Sequence, residues 1–301
     1  MNPDPAVRPA SAAEVMERLA AIAGLPNDEQ LLVSQAYLST PTLVGRDADI
    51  GRIRRLVSRA QHRRGASVLI RGPAGVGRSR FLDALVLEGK LGGATVLRAD
   101  ANDSTNGSYG VARAIATQLL RLLPDVALVA AESNLSVLAH VAPELLRGRT
   151  DVALQAFEDS QHMARRLQPA YRKWLTDVGR SRPPIIAIDD VLRIDEASAA
   201  TFAILSSEVS QRSILLATTL DSRMVPPPYL VATLKLYADA SSVFELEPLT
   251  APHSEQLFGS IFGEQPNLAP LSHRLFGIAG GNPRDLLRLA QHLVDKKILR
   301  Y

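Results

Sequence analysis

Gly72-Pro73-Ala74-Gly75-Val76-Gly77-Arg78-Ser79 joins an apolar run, Ser67–Arg71, to a helical run, Arg80–Glu88. Glycines at 72, 75 and 77 let backbone N–H groups turn inward around phosphate oxygens with no Cβ in the way. A helix opening just behind them adds unpaired N–H groups and the positive end of its dipole. The chemistry suggested is phosphate binding, with the Ser79 hydroxyl placed to hold Mg²⁺. The spacing is the full G-x-x-x-x-G-K-[ST], except that Arg78 stands where lysine is expected. Arginine keeps the charge, but its planar, larger head makes the exchange non-conservative. The plainer alternative is a glycine-rich turn that only links a strand to a helix.

A second stretch, Pro183-Pro184-Ile185-Ile186-Ala187-Ile188-Asp189-Asp190, reads as a buried parallel strand ending in two carboxylates. Open α/β sheets bind ligands at the carboxyl ends of their strands. Asp189 there would hold Mg²⁺ through water, and Asp190 would polarise an attacking water or read a γ-phosphate. A strand that merely ends in an Asp-rich turn is the alternative. It loses ground because the strand shares a chain with the loop at Gly72. His140 and His162 have no metal-ligand partners at a useful spacing and read as structural or exposed.

These residues need a sizeable core to position them, and 301 residues with 46% hydrophobic and 22% charged side chains can supply one. The net charge is only +3. The clusters Arg52-Ile53-Arg54-Arg55 and His62-Arg63-Arg64 read as solvated helix faces rather than a nucleic-acid patch. With no cysteine there is no disulfide framework, thiol nucleophile or cysteine metal site. No apolar run reaches membrane-spanning length and the polar, Pro-rich start is not a signal peptide, so a cytoplasmic protein is expected.

Ser11 and Glu14 could box the start of a short helix that stops at Gly24 and Pro26, and residues 27–40 read as a linker. A helix follows Asp47, and Ala94–Ala99 reads as a strand with a polar loop, Ala101–Tyr109, behind it. Helices are expected over Val111–Leu123, Leu135–Leu146, Val152–Leu167 and Ala170–Val178, with breaks at Pro124, Pro143, Gly148 and Pro169. Next come a helix through Phe202, Leu205 and Val209, a buried strand Ser213–Thr219, a proline loop at Pro226–Pro228, and a strand Ser242–Leu246. Helices after Thr250 and over Leu271–Ala279 precede the final run. No solenoid repeat is visible.

Several of these stretches resemble one family. Leu43-Val44-Gly45-Arg46-Asp47-Ala48-Asp49 is similar to the V-G-R-x-x-E box of AAA-like and STAND ATPases, with Asp49 for the usual Glu. Asp189-Asp190-Val191-Leu192-Arg193-Ile194-Asp195-Glu196-Ala197-Ser198 resembles the D-D-x-x-W-x-D-x-x-S run of AAA-like domains in bacterial signalling proteins, with Arg193 for Trp. Ser213–Thr219 resembles the sensor-1 strand, which commonly ends in Thr-x-Arg; Leu220 fills the Arg position. Glu247-Pro248-Leu249-Thr250 is similar to the entry into a helical lid, and Gly280-Gly281-Asn282-Pro283-Arg284 to the G-G-N-P box that opens a lid helix.

The resemblance, to AAA-like/STAND P-loop ATPase domains of the Orc1-like type, covers residues 41–301. It implies an α/β P-loop NTPase fold (ASCE/AAA-like) of about five parallel strands with helices on both faces and a C-terminal helical lid. The core would span 41–248 and the lid 249–301. Val44, Gly45 and Arg46 would pack over adenine, and Gly72, Pro73, Ala74, Gly75, Val76, Gly77, Arg78, Ser79 and Arg80 would cradle phosphates. Ser79 and Asp189 would hold Mg²⁺, the two forming the Walker A hydroxyl and Walker B carboxylate, with Asp190 as the catalytic carboxylate. Pro283 would lie near adenine and Arg284 would reach phosphate, unless it is a plain exposed first-turn arginine.

The implied cofactors are ATP or ADP with Mg²⁺. The implied function is a nucleotide-controlled signalling switch, with slow or absent hydrolysis because of Arg78 and Leu220. Two alternatives are a nucleotide-independent scaffold and an origin-recognition-like DNA-binding ATPase; the modest charge gives DNA little support. Expected partners are other protein domains, a kinase upstream and a helical-repeat or sensor region downstream, with self-association possible and no membrane. The upstream kinase is suggested because Asp4-Pro5-Ala6-Val7-Arg8-Pro9-Ala10-Ser11-Ala12 resembles the D-P-x-x-R-P-[ST]-A end of a bacterial Ser/Thr protein kinase domain, with Arg8 as the C-lobe brace. Residues 1–26 would be that tail, since no glycine-rich kinase loop, HRD or DFG is present.

Overall fold

The computed structural model describes residues 42–296, apart from 264 and 266. The kinase-tail-like segment 1–26 and the linker 27–40 lie outside the described residues. Those described fall into two compact units, Arg46–Glu247 and the residues from Pro248 onward together with 42–45.

The larger unit is built on five parallel strands: β1 (Ala66–Gly72), β2 (Thr95–Ala99), β3 (Pro184–Ile188), β4 (Leu215–Asp221) and β5 (Ser242–Glu245). Their order across the sheet is β2-β3-β4-β1-β5. β3 is buried at every position, as a continuous apolar run in a sheet covered on both faces must be. The short β5 is an edge strand that exposes Ser242 and Glu245, a polar composition that discourages further pairing. The register sets Gly72 opposite Asp221 and Ile188 opposite Thr218, so the carboxyl ends of β1, β3 and β4 finish side by side.

The helices of this unit are α1 (Asp47–Gln61), α2 (Arg78–Leu91), α3 (Gly110–Leu122), α4 (Pro124–Ala131), the single turn α5 (Leu135–Leu138), α6 (Ser160–Ser181), α7 (Glu196–Glu208) and α8 (Val231–Ala240). The main core joins β2, β3 and β4 to α3, α4, α6 and α7. Tyr171, Trp174 and Phe202 meet edge to face within it, with Tyr171 at 5.9 Å from Trp174 and 6.0 Å from Phe202. Their polar ends are satisfied: the Tyr171 hydroxyl donates to the Ala112 carbonyl at 2.7 Å and Trp174 Nε1 to that of Ala127 at 2.8 Å.

This layer departs from the sequence expectation in several places. Leu135–Leu146 is one helical turn and a 3₁₀ turn (Pro143–Leu146) rather than one helix. Residues 151–157 are not helical; α6 starts at Ser160, where the Asp159 carboxylate accepts from the His162 N–H. From there α6 runs through Pro169 instead of breaking. A mid-helix proline costs about 3 kcal/mol, but the face carrying Leu167, Tyr171, Trp174, Leu175 and Val178 is buried, and each large side chain returns about 1.5–3 kcal/mol. The helix α8, after the proline loop, was not anticipated; its apolar residues do not share one buried face, since Val231 and Leu236 are exposed while Tyr237 is buried.

The second unit packs α9 (Ala251–Phe262), α10 (Leu268–Ala279) and α11 (Pro283–Asp295) around Leu257, Phe258, Leu275, Leu286 and Ala290. Gly281 has φ +75°, and a Cβ on it would fall 2.1 Å from the Leu249 carbonyl, whose own N–H donates to the Gly281 carbonyl at 2.8 Å. Among the described residues no helix is long and apolar enough to cross a membrane.

Candidate functional site

The loop between β1 and α2 needs its glycines for backbone reasons. Gly75 and Gly77 have φ of +83° and +101°, where an L side chain is strained. At Gly72, whose backbone is close to extended, a Cβ would fall 2.6 Å from the Leu246 carbonyl. Gly77 is also the N-cap of α2, and no side chain caps that helix end. The first turn of a 14-residue helix therefore opens beside the loop, and its glycine N-cap has no side chain to accept from it. Ser79 is exposed, in the first turn of α2.

Asp189 and Asp190 follow β3, at the same edge of the sheet. The Asp189 N–H donates to the Ala99 carbonyl at 3.0 Å, which extends the β2–β3 ladder by one residue. Thr219, buried in β4, places both carboxylates: its hydroxyl donates to Asp189 Oδ1 at 2.5 Å and accepts the Asp190 N–H at 2.8 Å. Asp190 has φ +55°, uncommon for a residue with a side chain. Its Oδ2 faces Arg193 Nε at 3.2 Å, while its Oδ1 is buried with no hydrogen-bond partner. Burial pushes the Asp190 carboxyl above its usual range, against the pull of Arg193 and Arg78 and with the push of Asp189 and Asp221.

Arg78 does not project freely from the loop. Its Nη1 donates to the Gly72 carbonyl at 2.5 Å and faces Asp221 Oδ2 at 3.1 Å. Burial alone would raise the Asp221 carboxyl, but hydrogen bonds from the Arg223 backbone N–H and from Arg78 outweigh it and hold the group below the usual range. Sequence reasoning stopped at Thr219 and Leu220, so it missed Asp221; an acidic residue just beyond an apolar strand that neighbours β1 was the available signal. Leu220, the expected sensor position, packs against the main core.

Asp195 and Ser198 do not join this cluster. Asp195 caps α7 through the Ser198 N–H at 2.9 Å and also accepts the N–H groups of Tyr109 at 2.8 Å and Val111 at 3.2 Å. Ser198 Oγ accepts the Ala112 N–H at 3.0 Å. They clip the start of α3 to the start of α7.

The remaining candidates lie in two places. Val44 packs on the core of the C-terminal helical unit, and Gly45 (φ +67°) leaves no room for a Cβ beside the His253 ring, 2.5 Å away. Arg46 belongs to the sheet unit, where its guanidinium donates to the Glu247 carbonyl and burial lowers its pKa. Pro283 is the first residue of α11, capped by Asn282 accepting from the Arg284 N–H at 3.1 Å. Arg284 is exposed, with Asp285 at 3.6 Å.

A nucleotide with Mg²⁺ fits the residues present. The loop offers backbone donors without a Cβ in the cradle, and the uncapped helix end favours an anion. Among the described residues no group of three or more His, Asp or Glu side chains could hold a metal alone. A hard cation held by a hydroxyl and one or two carboxylates, with phosphate and water completing its shell, needs no such group. Two open surface cavities of about 420 and 460 Å³ lie along α6 and contain none of these residues.

A profile of the AAA ATPase domain matches residues 42–217. No curated protein matches the sequence. Among solved structures, Cdc6p from Pyrobaculum aerophilum is 13% identical with a TM-score of 0.50, over 86% of this chain and 63% of that one. The Orc1 protein of Aeropyrum pernix, solved in complex with DNA, is 16% identical at 0.49, over 89% and 65%. A STAND protein with a tetratricopeptide-repeat sensor from Pyrococcus horikoshii is 16% identical at 0.43, over 80% and 28%. The chain thus spans less than two thirds of the length of each. At such identity the likeness to Cdc6p speaks for the fold alone.

Proposed function

The chain belongs to the AAA ATPase domain family, and from that premise we propose that it is an ATP-binding switch module that turns over nucleotide slowly or not at all. The observation that carries this reading is the loop itself, with two positive-φ glycines leading into an α2 N-terminus that no side chain caps, beside a carboxylate with an oxygen to spare. Backbone N–H groups of Gly75, Gly77, Arg78 and Ser79 would bind the phosphates. Ser79 and Asp189 would hold Mg²⁺, which when bound supplies charge neutralisation between phosphate oxygens. Thr219 fixes the Asp189 rotamer in advance, so little order is lost on binding.

Asp190 would be the group to orient water. Its Oδ2 is engaged by Arg193 and its Oδ1 is buried, which leaves it poorly arranged as a base. With Arg78 paired to Asp221 and Leu220 in the core, cationic help for a developing phosphate charge is scarce, which supports slow turnover. Val44, Gly45, Arg46, Pro283 and Arg284 are proposed as the adenine and lid contacts, and nucleotide state as the signal passed to other protein domains.

The test is equilibrium titration with ATP and ADP, each with and without Mg²⁺, on the wild type and on Ser79→Ala and Asp189→Ala. Mg²⁺-dependent ATP binding weakened in both variants is expected. No binding at millimolar ATP would make the scaffold reading the better one. Robust turnover abolished by Asp190→Asn would overturn the slow-hydrolysis part. For the DNA alternative, Arg52 and Arg54 of α1 are engaged with Asp49 and Glu88, which leaves less free charge for a phosphate backbone.

A further inference from the structure

We propose that Asp221 sets how tightly the loop holds a triphosphate, by detaining Arg78 at the end of β4; the inference rests on the nucleotide-binding reading above. Arg78 is the first residue of α2, at the place from which a cation would reach bound phosphate. Its Nη1 has two hydrogens, and the structure accounts for two acceptors, the Gly72 carbonyl at 2.5 Å and Asp221 Oδ2 at 3.1 Å. Both side chains are largely enclosed, with exposures of 14% and 13%. An ion pair this shielded is worth more than a surface one and is slow to yield its partner to a competing anion.

The arrangement is built by the sheet. Gly72 and Asp221 are ladder partners in β1 and β4, and the Ser222 N–H donates to the same Gly72 carbonyl at 3.1 Å. The carbonyl and the carboxylate therefore form one fixed acceptor pair. A planar guanidinium can serve both while keeping Nε and Nη2 on its other edge; a lysine ammonium, a compact point charge on a flexible stem, is less suited to being docked this way. Arginine at 78 and aspartate at 221 thus read as a matched pair. Asp221 also adds a negative charge beside Asp189 and Asp190, on the side where phosphate would approach.

Three variants separate the possibilities when titrated calorimetrically with ATP and ADP in Mg²⁺: Asp221→Asn, Arg78→Ala, and the two combined. Freeing Arg78 and removing one negative charge should tighten ATP in Asp221→Asn by about tenfold and ADP by less, about threefold, since the diphosphate carries less charge. Deleting the pair as a unit leaves the net charge unchanged, so the double variant should bind ATP within about twofold of the wild type. In the Asp221→Asn background, Arg78→Ala should therefore cost about tenfold.

The inference is overturned if Asp221→Asn binds ATP no more tightly than the wild type, or if the double variant is tenfold weaker, which would mean Arg78 already serves the nucleotide. Thermal melting of each variant without nucleotide checks the fold, and Asp221→Ser serves if the asparagine variant is unstable. Absence of ATP binding in every variant, the wild type included, would instead sink the nucleotide-binding reading itself.

Discussion

Asp190 and Asp195 lie five positions apart, on either side of the turn from β3 into α7, and their surroundings are opposite. Asp195 accepts three backbone N–H groups, from Tyr109, Val111 and Ser198. Asp190 sits at φ +55° with one oxygen buried and unpartnered, and its carboxyl is pushed up by burial. A satisfied carboxylate has its geometry fixed by what it already binds and has little left to offer a ligand. A carboxylate held in a strained, under-satisfied state costs stability instead of supplying it. Both fall in the run of residues that resembles the family; their hydrogen bonds separate a structural clip from an under-satisfied carboxylate.

The contrast can be broken by substitution. The largest effect is expected at Asp195→Ala, which leaves three N–H groups and two helix starts without their acceptor. Unfolding in urea should show a loss of about 3 kcal/mol, and a loss below about 1 kcal/mol would remove the distinction drawn here. Asp189→Ala should weaken Mg²⁺–ATP by about tenfold, or 1.4 kcal/mol, while changing urea stability by less than about 1 kcal/mol. Equal losses of binding in Asp189→Ala and Asp195→Ala, both folded, would run against the comparison.

Asp190→Asn should gain about 0.5–1 kcal/mol, because asparagine tolerates positive φ and carries no charge to desolvate. The smallest effect is its pH dependence. Because the folded-state pKa of Asp190 is raised, ionisation costs the folded state, and that cost is present at neutral pH. It fades as the pH falls through the folded value and is gone below the unfolded value of 3.8. The stability difference between Asp190→Asn and wild type should therefore shrink on acidification. Using the difference cancels most of the opposite contribution of Asp221, whose depressed pKa makes its stabilisation disappear as the pH falls. Arg193, Arg78, Asp189 and Asp221 face Asp190 and are common to both proteins. A difference that stays constant from pH 7 to about 4 would show that desolvation of Asp190 is not the cause.

The sheet was legible in the sequence because a strand buried on both faces leaves a local mark, as in Ile185-Ile186-Ala187-Ile188 and Leu215-Leu216-Ala217. The glycine-rich loop was legible for a similar reason: positive φ at Gly75 and Gly77 is a requirement each residue carries itself. Asp221 and Thr219 were missed because their roles depend on which strands lie side by side. Nothing near residue 220 states that β4 will neighbour both β1 and β3. The continuation of α6 through Pro169 was misread for the opposite reason. The local penalty is plain in the sequence, while the burial of Tyr171 and Trp174 that outweighs it comes from α3 and α4.

The clip between Asp195 and the start of α3 has a kinetic consequence. Tyr109 and Asp195 are 86 residues apart along the chain, so every residue of α3 to α6 and the whole of β3 lies inside the loop that this contact closes. Closing so long a loop costs entropy before any contact rewards it. The helical layer over β2 and β3 can acquire its final order only after β3 has delivered Asp195. Refolding of Asp195→Ala should therefore slow at the step that seats α3, with the β1–α2 segment, closed by contacts near in sequence, forming earlier.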